Sequence, residues 1–122
     1  MESAHYILTN NLVSLSEQNL VSCSFLQGNL GCNGGWYYNA WKYANKKALE
    51  SEADYPYTSG TTMVSGSCMY NAALGIVNAI ATTDVATDTT SIMTAIAQQP
   101  NAVAIEADTV YFQSYTSGVL TC

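Results

Sequence analysis

The chain has 122 residues, 48% of them hydrophobic and only 10% charged, which is enough apolar material for one modest core and is not the composition of a disordered segment. Nine acidic residues outnumber three lysines, Lys42, Lys46 and Lys47, all in one helical stretch, so no basic surface can neutralise a phosphate backbone and no nucleic-acid partner is expected. No run approaches the roughly 18 apolar residues of a membrane helix, and Met1 is followed by Glu2 rather than by a basic and then apolar leader, so neither a membrane partner nor a secretory signal is expected in these residues.

Met1 to Thr9 reads as the tail of a helix, with Ala4, Ile7 and Leu8 on one face and Asn10-Asn11 ending it. It starts without a cap, as expected of a piece of a longer chain. Ser14-x-x-Glu17 has the form of a capping box, opening a short helix to about Cys23. Gly28 to Gly34 is a turn-rich loop. Trp36, Ala40, Tyr43, Ala44 and Lys47 recur at spacings of three and four and predict a helix from Gly35 to Lys47, whose terminal lysines complement its dipole. Glu50 to Met63, with Pro56 and Ser59-Gly60, predicts an irregular connection. Ile76 to Ala81 predicts a strand, Thr90 a cap for a helix containing Ile92, Met93, Ala95 and Ile96, and Pro100 a stop before a strand from Ala102 to Glu106. A last helical turn holds Tyr111, Phe112 and Tyr115, with Gly118 ending it.

Few residues carry candidate chemistry. The intervals between Cys23, Cys32, Cys68 and Cys122 contain no ligand pair at the tight spacing of a structural zinc site, so no metal is expected. His5 is the single histidine, and a Cys/His dyad would have to use it; it lies on the incomplete first helix, and a surface or helix-packing role is expected instead. Capping geometry explains Glu17, and the other acids are too scattered for a paired-carboxylate mechanism. Asn33-Gly34-Gly35 has two readings: a tight turn before a helix, or a backbone stripped of side chains so that another strand can approach.

Six segments fall together in order and spacing: Leu-Ser-Glu-Gln-Asn-Leu-Val-Ser-Cys from Leu15 to Cys23, Gly-Cys-Asn-Gly-Gly from Gly31 to Gly35, Tyr55-Pro56-Tyr57, Cys68-x-Tyr70, Gln99-Pro100 ahead of Val103-Ala104-Ile105, and Phe112-Gln113-x-Tyr115-x-x-Gly118. They resemble the papain-like cysteine proteases, close to the cathepsin L branch. The resemblance implies an incomplete α+β papain-like fold, with residues 1–80 forming most of a helical left domain and residues 81–122 the first part of a β-rich right domain. It implies a disulfide between Cys23 and Cys68, and partners outside the chain for Cys32 and Cys122. It implies that Gly35 binds, through its main chain, the substrate residue two before the scissile bond, with Asn33 and Gly34 beside it. Trp36, Tyr37 and Ala104 would shape the main specificity pocket and Leu30 a further subsite. Trp36-Tyr37 stands where papain has Tyr-Pro, so the family's pocket depth and preference do not carry over to this chain, and a bulky Trp at the mouth could narrow it.

The family's nucleophile lies in Cys-Gly-Ser-Cys-Trp near the mature N-terminus, with His and Asn about 130 to 150 residues downstream. None of these falls within residues 1–122, and neither does the Gln that helps bind the oxyanion, so no catalytic residue and no cofactor are expected here. The implied partners are a peptide or protein substrate and the remaining parts of the same protease. The implied location is a lysosome or other acidic vacuole, or the extracellular space. A noncatalytic peptide-binding protein, one chain of a processed two-chain enzyme, and a partial sequence remain alternatives.

Overall fold

The computed structural model describes residues 1–120; Cys122 lies outside them. Helix α1 (Glu2–Thr9) ends at Asn10, which takes the left-handed conformation (φ 58°) that Asn tolerates at a helix C-terminus. The Glu2 side chain reaches forward to accept the Leu15 N–H at 2.8 Å, tying α1 to the next segment.

Helix α2 (Glu17–Cys23) begins two residues later than the capping-box reading requires. Leu15 forms an antiparallel bridge with Ser51, and the Ser14 carbonyl accepts the Glu52 N–H at 2.9 Å, so the chain is still extended where the box would have started a helix. Ser16 is the cap instead: its Oγ accepts the Asn19 N–H at 2.9 Å and donates to the Tyr55 carbonyl at 2.6 Å. Glu17 is then an exposed acid in the first turn, well placed against the helix dipole.

One single turn of 3₁₀ helix, Phe25–Gln27, precedes the predicted loop and a second, Gly31–Asn33, lies within it, and the chain then enters α3 (Tyr37–Lys46). That helix buries Tyr43 and Ala44 on one face, as its apolar spacing predicts. Strand β1 (Leu49–Glu50) pairs antiparallel with β2 (Gly75–Val77), with Leu49 opposite Val77. Between them α4 (Ser59–Thr62) adds one helical turn inside the connection expected to be irregular.

The core consists of Leu15, Tyr43, Ala44, Leu49 and Val77, with Val13, Leu20, Cys23 and Ala79 packed against it. More buried residues are polar than apolar: Ser16, Gln18, Asn19, Ser22, Ser24, Glu50 and Ser59 are all enclosed. Each needs a hydrogen-bond partner to offset lost hydration. Gln18 has one on every side, its Nε2 donating to Ser22 Oγ (2.7 Å), Ser59 Oγ (2.8 Å) and the Ser65 carbonyl (3.0 Å), and its Oε1 accepting the Thr58 and Ser59 N–H groups, each at 2.9 Å. Asn19 Nδ2 donates to Glu50 Oε2 at 3.1 Å, and Glu50 Oε1 accepts the Asn71 N–H at 3.2 Å. Burial pushes the Tyr43 hydroxyl well above its ordinary range, Tyr70, Glu50 and Tyr55 add to the rise, and the Asn19 hydrogen bond works against it.

Cys23 and Cys68 are disulfide-bonded, as the resemblance implies, while Cys32 carries an exposed free thiol. Tyr55 of the Tyr-Pro-Tyr segment clamps the chain beside that disulfide, its hydroxyl accepting the Met69 N–H at 2.9 Å and donating to the Ser67 carbonyl at 3.3 Å. Tyr70 meets Tyr43 edge-on at 6.3 Å, and the Lys47 ammonium lies over both rings.

Past Ala81 the architecture changes. Helix α5 (Thr89–Ile96) is capped by Asp88, whose Oδ1 accepts the Ser91 N–H at 2.9 Å, and not by Thr90. Residues 102–106 form no strand, because no neighbouring segment offers a backbone ladder, and Val103 and Ile105 stand exposed. Helix α6 (Val110–Gln113) carries Tyr111 and Phe112 and stops before Tyr115. Among the described residues after 81, none is buried. No helix of the described residues is long and apolar enough to cross a membrane.

Candidate functional site

A recess of about 230 Å³ opens between α2 and the start of α3, lined by Leu20, Val21, Gly34, Gly35, Trp36 and Tyr37 among others. The loop reaches it through a tight turn in which Gly34 N–H donates to the Gly31 carbonyl (3.1 Å) and Leu30 N–H to the Gly34 carbonyl (2.8 Å). Gly34 holds φ 99° and ψ −173°, a conformation open in practice only to glycine, and a Cβ there would project into open space.

Gly35 is constrained differently. A Cβ on Gly35 would lie 2.7 Å from Asn29 Cγ and 3.0 Å from Asn29 Cβ, so that side of its backbone is occupied by the Asn29 amide. Asn29 Oδ1 accepts the Trp36 N–H at 2.9 Å, and its Nδ2 donates to Ser24 Oγ at 2.8 Å; Ser24 Oγ donates in turn to the Leu20 carbonyl at 2.7 Å. The N–H and C=O of Gly35 itself enter no hydrogen bond among the described residues, and the residue is exposed. A backbone donor and acceptor on one residue at the lip of a recess can pair with an extended peptide laid alongside it.

The aromatic residues form a chain along the start of α3. Trp36 and Tyr37 meet edge-on with centroids 6.2 Å apart, and Tyr37 meets Trp41 likewise at 5.7 Å. Trp36 remains 63% exposed at the rim.

Of the residues singled out from sequence, Gly34, Gly35, Trp36 and Tyr37 therefore come together. Leu30 and Asn33 are exposed in the adjoining turn, where Asn33 N–H donates to the Leu30 carbonyl at 3.1 Å. Ala104 is exposed in the irregular segment after Pro100 and does not line the recess. His5, on α1, does not line it either. Sequence reasoning passed over Asn29 and Ser24, because a loop asparagine seven positions from the residue it holds leaves no periodic trace. A larger cavity of about 500 Å³ lies elsewhere, between α3 and residues 79–82, and contains none of the glycines. No three His, Cys, Asp or Glu side chains among the described residues could share a metal ion.

The whole chain, residues 1–122, matches the family described as papain family cysteine protease, and the protein belongs to that family. It is 39% identical over 121 residues to procathepsin L of Mus musculus, an alignment covering 98% of this chain and 35% of that one. It is 40% identical over 125 residues to cysteine proteinase 2 of Dictyostelium discoideum, covering 97% of this chain and 31% of the other. Among solved structures it resembles digestive procathepsin L 3 of Tenebrio molitor larval midgut, with a TM-score of 0.70 and 32% identity over 77% of this chain and 30% of that one. The chain thus spans about a third of the length of these relatives, and its architecture is a partial α+β fold of the papain type.

Proposed function

We propose that this segment supplies part of the substrate groove of a papain-type cysteine endopeptidase, and that the groups performing the chemistry lie outside residues 1–122. The observation that carries the reading is the unpaired N–H and C=O of Gly35, exposed at the lip of a recess whose rim is Trp36 and Tyr37. A peptide or protein substrate would lie there as an added strand, exchanging main-chain hydrogen bonds with Gly35 while the side chain two before the scissile bond enters the space beside Tyr37. Ala104 would join that pocket in the longer enzyme, and Leu30 would border the next subsite. In that enzyme a Cys thiolate would attack the peptide carbonyl, a His would act as base and then acid, and a Gln side chain would help bind the oxyanion. This chain alone is then inactive. Its location would be a lysosome, another acidic vacuole or the extracellular space, which agrees with its disulfide.

The test is cleavage of a substrate panel varied two residues before the scissile bond, using the full-length protease. Gly35→Val should lower kcat/KM by about tenfold or more for every substrate, the loss expected from one or two backbone hydrogen bonds. Tyr37→Ala and Ala104→Phe should reorder preference instead, since they change pocket volume and leave those bonds in place. Unchanged rates for Gly35→Val, or uniform scaling by Ala104→Phe, would remove the segment from the groove.

A further inference from the structure

We infer that Asn29 is a positioning residue for peptide binding, and that it, together with Ser24, holds Gly35 with its main-chain groups turned outward; the inference rests on the groove reading above. The backbone at Gly35 could turn in either direction, because glycine imposes little preference. What fixes it is the next amide along. Trp36 N–H is captured by Asn29 Oδ1 at 2.9 Å, and the side chain of Asn29 fills the space where a Gly35 Cβ would stand.

Asn29 is itself anchored. Its Nδ2 donates to Ser24 Oγ at 2.8 Å, and Ser24, 1% exposed, passes the constraint to the end of α2 through the Leu20 carbonyl. Both halves of the amide are therefore used, one on the framework and one on the lip, a division that a carboxylate or a shorter side chain cannot reproduce. Binding gains from such preorganisation because the ligand need not order the backbone it pairs with. It follows that residue 35 must be glycine chiefly because of Asn29, whereas Gly34 must be glycine because of its own dihedral angles.

The experiment compares two ligands on the full-length protease: a peptide substrate, and the same peptide with the amide that would donate to the Gly35 carbonyl replaced by an ester, which cannot donate. Wild type should bind the ester about five- to tenfold more weakly, the loss of one hydrogen bond. Asn29→Ala should bind the amide more weakly by a similar factor and show almost no further loss with the ester, since a misplaced Gly35 no longer makes that bond. Asn29→Asp, which keeps an acceptor for Trp36 N–H, should restore part of the amide-over-ester preference. General loosening of the fold would weaken both ligands and leave their ratio intact. An undiminished ester penalty in Asn29→Ala overturns the role of Asn29 alone, while the lack of a penalty in wild type overturns the groove reading itself. If Asn29→Ala does not fold, Ser24→Ala removes the acceptor behind the amide and should shrink the ratio in the same direction; a ratio equal to wild type there also overturns the inference.

Discussion

Gln18 shows how a single side chain can substitute for apolar packing. Its buried amide bonds to Ser59 of α4, 41 positions away, to Ser65, 47 positions away, and to Ser22 one turn along its own helix. Gln18→Ala would leave the Thr58 and Ser59 N–H groups without their acceptor, and one orphaned buried group costs about 1–3 kcal/mol. The expected loss is at the top of that range, measured as a lower urea midpoint at unchanged slope; a midpoint within error of wild type would mean that water replaces the amide. A second residue acts through its charge. The Ser91 side chain, and then its N–H, hold the Asp88 carboxyl below the ordinary aspartate range. The folded state therefore favours the ionised form, so the cap is fully effective above the unfolded pKa of about 3.9 and is lost as pH falls through the lower folded value. The Asp88 carboxyl carbon resonance should accordingly titrate below that of an unfolded aspartate, and a midpoint at or above the unfolded value would show that α5 is not capped this way.

At the scale of elements, the disulfide links the end of α2 to the irregular segment leading to Tyr70, closing a loop between positions 45 apart in sequence. Loop-closure entropy assigns it about 4 kcal/mol, less any native strain. Reduction should lower the thermal midpoint by more than any single surface substitution, and non-reducing peptide mapping should recover Cys23 with Cys68. In this chain taken by itself, alkylation should mark Cys32, whose thiol is free and exposed, at the rate of an ordinary thiol. Helices α1, α2 and α3 were legible because apolar spacing and local end signals act within a few residues. The true cap of α2 was not, since Ser14 and Ser16 are equally good caps and only the pairing of Leu15 with Ser51 chooses between them. The strand expected at 102–106 failed for the related reason that an apolar run specifies a strand only when a partner edge is present. The glycine lip was legible as a pattern; Asn29, which holds it, was not, because its role exists only once the loop has closed.

For the molecule as a whole, every buried residue among those described lies between Leu15 and Val77, and the segment after Ala81 contributes none. Exposed Val103, Ile105, Val110 and Tyr111 leave apolar surface unburied in this chain. Limited proteolysis of the isolated chain should therefore cut first within residues 81–120, where aromatic and aliphatic sites are open, and spare a product that retains both Cys23 and Cys68. Early cleavage between Leu15 and Val77 would show that the polar network does not hold the first part of the chain by itself.

The disulfide also carries a consequence for the order of synthesis. A ribosome adding about 5–20 residues per second makes Cys32 within roughly two seconds of Cys23, whereas Cys68 follows only after about 2–9 s. Until then Cys32 is the sole thiol made after Cys23, close enough along the chain to be oxidised with it. In an oxidising compartment a bond formed within that pair would be a non-native one, and reaching the Cys23–Cys68 bond from it requires thiol–disulfide exchange, with seconds to hours as its natural timescale. A catalyst of disulfide isomerisation acting while the nascent chain is still being extended would then speed the correct maturation of this small core.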